Sequence, residues 1–189
     1  MRDNPTAYPN GGLILPFQGH HPQITPPCFI APNATIIGDV TIGAESSLWF
    51  GVVIRADGNA VRIGRQTNIQ DGTIIHVSSG ELGGAARPTL IGDRVTVGHG
   101  VILHACELQD EAYIGMGSVI LDGAVVEGGG FLAAGALLTG GKVVRRGELW
   151  GGNPARLLRP LRAEEVAYIP HSAAHYWRLA SAYIPADPQ

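Results

Sequence analysis

His76, His99 and His104 are the residues of this chain best placed to do chemistry. They stand in two segments, Ile74-Ile75-His76-Val77 and Val97-Gly98-His99-Gly100-Val101-Ile102-Leu103-His104, inside a regular aliphatic run. Imidazole is the commonest metal ligand, and three imidazoles with one open corner describe a catalytic site whose bound water ionises at a pKa of about 7. Other residues are suited to support such a centre. Gln70 can hydrogen-bond the resulting hydroxide, and Arg55 with Asp57, two positions on and pointing the same way, can fix charge and geometry behind the ligands.

The elements that must position these groups show in a six-residue beat. Ile30, Ile36, Ile42, Leu48 and Ile54 are evenly spaced, and Ile63, Ile69 and Ile75 follow after a three-residue slip. Ile91, Val97 and Leu103 resume it, and Leu108, Ile114, Ile120, Val126, Leu132 and Leu138 carry it on after the loss of one residue. Ordinary half-buried strands alternate with period two, whereas a fixed hexad with small residues between aliphatics is one side of a triangular coil. Three hexads close one turn, so the chain reads as an all-β solenoid in which each coil packs only on its neighbours.

That lattice turns sequence spacing into geometry. Between Ile75 and Ile91 the segment from Ser78 to Pro88 adds about ten residues beyond a hexad and reads as a loop thrown out of the coil. His76 and His104 are 28 apart, and removing the loop leaves 18, one full turn, so they stack on successive coils. Arg55 joins that column once the three-residue slip is removed, and Asp71 and His99 form a second column by the same correction. Because the second column sits on another side of the triangle, one chain does not bring all three histidines together. A symmetric homotrimer does, setting His76 and His104 of one subunit against His99 of the next.

Composition agrees with a lean, repetitive core. Charged residues are 15%, aromatics 6%, and glycine 27 of 189, about twice its usual share. A net charge of -3 without a basic block gives no case for nucleic acid, and no apolar run of about twenty residues exists to span a membrane. Residues 1–29 read as an irregular lead-in without the pattern of a secretory leader, 30–159 as the solenoid, and 160–189 as a C-terminal α-helix and tail interrupted at Pro170. Cys28 and Cys106 are too few for a disulfide framework and fit small apolar positions in a reducing, cytoplasmic setting. His20 and His21, and His171 with His175, are expected to be solvated, and a fourth ligand from Cys106 would make a closed structural site instead of an open one.

Arg55-Ala56-Asp57, Asn68-Ile69-Gln70-Asp71-Gly72, His76, Gly98-His99 and His104, with Gly115-Met116-Gly117 and Gly152-Asn153-Pro154-Ala155, resemble the gamma-class carbonic anhydrase family of hexapeptide-repeat proteins. The resemblance covers roughly residues 32–159 plus the helix. It implies a left-handed parallel β-helix, a homotrimer with interfacial sites, His76, His99 and His104 as metal ligands, and Gln70, Arg55, Asp57 and Asp71 as catalytic residues. It further implies zinc, with iron(II) or cobalt(II) as related choices, and reversible hydration of CO2 to bicarbonate. One place departs: Gly58 stands where the best-characterised members carry a proton-shuttling glutamate; the loop contains a carboxylate of its own, Glu81, which spacing does not place at the site. Two other functions share the fold: a coenzyme A-dependent hexapeptide acyltransferase, which needs one histidine, and a non-catalytic, metal-stabilised trimeric assembly module.

Overall fold

The structure of the protein, a computed structural model, describes residues 11–81 and 83–184; the beginning of the expected lead-in and the last residues of the tail lie outside them. The hexads become short parallel strands that stack into three continuous columns, one per face. On the first face Ile14, Ile36, Ile54, Ile75, Leu103, Ile120 and Leu138 are in register. On the second, Ile24, Ile42, Ile63, Ile91, Leu108, Val126 and Val144 align. On the third, Ile30, Leu48, Ile69, Val97, Ile114, Leu132 and Trp150 align. Nearly all are buried, and each fully buried Ile or Leu contributes roughly 1.5–3 kcal/mol, so the fold is held by repetition of one modest contact.

Two features add to the spacing argument. Coiling begins ahead of Ile30, since Leu13–Leu15 and Gln23–Ile24 already pair in parallel with Thr35–Ile42. The three-residue slip is no loop: Val53–Ile63 is one strand that rounds a corner, matched by a bulge opposite Gly38. Gly38 has φ +84°, and a Cβ there would run into the Ala56 carbonyl, so only glycine lets the two coils close. The excursion after Val77, by contrast, leaves the lattice as expected and is closed at its foot by a two-way backbone pair between Ser78 and Arg87.

The last coil ends in an antiparallel hairpin, Glu148–Gly151 with Arg156–Pro160, and the chain then enters a helix, Ala163–Ser181. Pro170 does not interrupt it. Proline removes the donor to Val166, but both residues are exposed, where water can take the orphan carbonyl. The helix lies on the third face: Ile169, Ala173 and Ala180 are buried, Thr96 Oγ1 donates to Ser172 Oγ at 3.1 Å, and Tyr176 meets Trp49 edge-on at 5.7 Å. Among the described residues the first face has no such helix over it. Its outward positions beside the histidines carry Ile74 and Ile102, exposed by 46% and 41%, with Met116 at the corner exposed by 58%.

Candidate metal centre

His76 and His104 end two short strands, Ile74–His76 and Ile102–His104, whose residues pair one for one. Ile75 and Leu103 point inward, so the residues after them point outward at the edge of the first face. The imidazoles consequently stack on successive coils with ring centroids 5.2 Å apart. Arg55 follows Ile54, the partner of Ile75, and extends the column by one coil. The second column lies at the end of the third face. Asn68 and Ile69 pair with Thr96 and Val97, and two positions further along His99 donates from Nδ1 to Asp71 Oδ2 at 2.7 Å.

Each histidine has its own carboxylate. His76 Nε2 bonds Asp57 Oδ1 at 3.0 Å, and Asp57 Oδ2 also receives the Arg55 guanidinium at 2.5 Å. Burial works to raise the Asp57 carboxyl, but the hydrogen bonds from Arg55 and His76 outweigh it and hold the group below the ordinary carboxylate range. His104 Nδ1 bonds Asp122 Oδ1 at 2.6 Å. A carboxylate only accepts, so the proton of His99 and of His104 sits on Nδ1 and the Nε2 lone pair is left for a ligand. At His76 the Nε2 proton faces Asp57 instead, which leaves Nδ1.

Gln70 is buried directly after the strand Asn68–Ile69 and before Asp71, and its Nε2 donates to Asn68 Oδ1 at 3.0 Å. Asn68 in turn donates to Thr96 Oγ1, so the carboxamide is anchored through a chain that ends at Ser172 of the helix. Its oxygen and second N–H remain for a partner at the site. Among the described residues no three His, Cys, Asp or Glu side chains of one chain converge as ligands. The first column ends the first face and the second ends the third, so they stand at different edges of the triangle. The donor set they offer, three imidazoles backed by carboxylates, suits zinc, iron(II) or cobalt(II).

Glu81, on the loop, shares a cleft with Phe17, Gln18, Arg55, Asp57 and His76. Gly58 lines it too, and a Cβ on Gly58 would stand 2.8 Å from the Ser79 Cβ, so the loop occupies the space a side chain would need. The remaining polar candidates are elsewhere. His171 and His175 are exposed on the helix with ring centroids 6.5 Å apart, and His20 closes a two-residue turn with Phe17. Burial pushes the thiols of Cys28 and Cys106 up to about 12, so both stay protonated and Cys106 offers no thiolate. Sequence reasoning missed Asp122 and the Phe17–Gln18 wall. Asp122 lies 18 positions after His104, a spacing of one turn that could have marked it.

No family model matches the chain. Gamma carbonic anhydrase 1, mitochondrial, of Arabidopsis thaliana is 51% identical over 162 residues, covering 86% of this chain and 59% of that one. The carbonic anhydrase of Geobacillus kaustophilus is 48% identical over 154 residues, 82% of this chain and 81% of that one. The chain spans 57–63% of the length of three mitochondrial relatives from Arabidopsis thaliana. Among solved structures, a hexapeptide transferase family protein from Anaplasma phagocytophilum superposes with TM-score 0.85 at 47% identity, covering 90% of this chain and 98% of that one.

Proposed function

Since the chain belongs to the gamma carbonic anhydrase family, we propose that it catalyses reversible hydration of CO2 to bicarbonate at metal sites shared between subunits of a homotrimer. The observation that carries this reading is the pair of columns: His76 over His104 on one edge, His99 on another, every ring tied to a carboxylate. A single-histidine acyltransfer site has no use for that arrangement. Ile74 and Ile102, paired on the first face beside the first column, and Met116, one coil beyond His99 in the second, support the trimer, because they are exposed apolar side chains that a neighbouring subunit would cover.

His76, His99 and His104 would hold the metal, with zinc the default choice. When bound, it supplies hydroxide as nucleophile near neutral pH. Gln70, fixed by Asn68, orients that nucleophile through its free carboxamide valences toward the carbon of CO2. Asp71 holds His99 by its Nδ1 proton, and Asp57, itself clamped by Arg55, sets the charge next to His76. The proton released in each cycle has no side-chain route through residue 58, and Glu81 is the carboxylate that shares the cleft with His76.

No helix among the described residues is long and apolar enough to cross a membrane. Cys28 and Cys106, both free and buried, fit a reducing compartment such as the cytoplasm. Protein purified under nitrogen should carry about one metal per chain and hydrate CO2 in stopped flow. A metal-loaded trimer without turnover would favour the assembly module instead.

A further inference from the structure

We propose that Asp122 is a positioning residue of the metal centre, fixing the tautomer and orientation of His104; the proposal rests on His104 being a ligand. Leu103 pairs with Ile120 across the first face, so His104 stands beside Leu121 and Asp122 begins the corner that follows. From there the Asp122 carboxylate reaches back across one coil to His104 Nδ1 at 2.6 Å, the shortest of the three histidine–carboxylate bonds.

An Asp-Gly pair at a corner of this solenoid would ordinarily serve the backbone. The neighbouring corner carboxylates do so. Asp93 Oδ1 accepts from the Arg65 N–H at 2.7 Å, Asp110 Oδ1 from the Asp93 N–H at 2.8 Å, and Glu127 Oε2 from the Arg146 N–H at 3.1 Å. Even Asp71, which holds His99, also accepts from the Phe50 N–H at 3.3 Å. The Asp122 carboxylate accepts from no backbone N–H among the described residues, and its one hydrogen-bond partner there is the His104 ring. Freed of the structural duty, its effect falls on the imidazole: the proton is kept on Nδ1, the ring plane is fixed, and the Nε2 lone pair faces out.

Without that acceptor the ring can carry its proton on Nε2 and rotate, and the ligand is lost for part of the time. The test is zinc affinity of the intact protein, read by competition with a chromophoric chelator, for wild type, Asp122→Ala, Asp122→Asn, His104→Ala and the control Glu107→Gln. Glu107 lies on the second face and its carboxylate, among the described residues, accepts from Gln109, so its neutralisation changes charge without touching the centre. Asp122→Ala is expected to bind zinc about 10–100-fold more weakly, with the melting temperature of the zinc-free protein unchanged. Asp122→Asn should fall between, because its carboxamide oxygen can still accept the Nδ1 proton. Zinc binding by Asp122→Ala as tight as wild type, when His104→Ala has lost it, overturns the role of Asp122 and leaves the centre standing. An equal loss in Glu107→Gln overturns it too, since the effect would then be general charge. Retention of zinc by His104→Ala as well would overturn both Asp122 and the centre.

Discussion

At the residue scale different side chains of the proposed centre should fail in different ways. Gln70 is anchored by Asn68 and is proposed to touch the nucleophile and not the metal, so Gln70→Ala should keep its metal while kcat drops by the worth of one orienting hydrogen bond, about 1–3 kcal/mol. An unchanged kcat at saturating buffer would return Gln70 to a structural part in the Asn68–Thr96 chain. Proton export gives a second expectation. With Ser79 packed where a side chain at Gly58 would go, regeneration of hydroxide depends on external buffer or on Glu81. Raising imidazole should then increase kcat and leave kcat/KM flat, and Glu81→Ala should steepen that dependence. The two columns, Arg55, His76 and His104 on one and Asp71 and His99 on the other, were legible from spacing, because a solenoid makes sequence separation a ruler; Asp57 and Gln70 were read only as their neighbours in the chain. Asp122 was not, since an Asp-Gly pair at a corner reads as turn chemistry until the distance to His104 is known.

At the element scale, stability and site separate cleanly. Ile75 is fully buried beneath His76, between Ile54 and Leu103, and the coil cannot collapse around a hole there without disturbing both neighbours. Ile75→Ala should therefore cost about 2–5 kcal/mol in chemical denaturation, whereas substitutions of His76 itself should cost far less. The helix is tied on by Glu165, whose carboxylate takes both arms of Arg159 at 2.7 and 2.8 Å and the Arg162 N–H at 2.8 Å. The Arg159 hydrogen bonds first, and those of Arg162 next, hold its carboxyl well below the usual carboxylate range. A folded-state value lowered in this way contributes stability above the unfolded pKa of about 4.3 and loses it as pH falls. The melting-temperature gap between wild type and Glu165→Gln should close as pH drops from about 7 toward about 3; a gap independent of pH would contradict the ion pair. The strand beat and the helix were readable in advance. Ile24 continues the beat exactly one hexad before Ile30 yet was hidden by its proline neighbours, and Ile14 lies off the beat, so the earliest coils were not.

At the scale of the whole molecule the proposed site is incomplete in a single chain: its two histidine columns lie on different edges, with Ile74 and Ile102 open beside the first and Met116 open beside the second. Light scattering should accordingly give a trimer. The most direct test of the shared site is subunit complementation, with His99→Ala and His104→Ala proteins prepared separately and then co-assembled from equal amounts. Each alone should lack metal and CO2 hydration. In random mixed trimers about one quarter of the sites pair an intact His76–His104 column with an intact His99, so zinc and activity should return to about that fraction of wild type. Mixed trimers that form and yet recover neither would contradict a centre built between subunits.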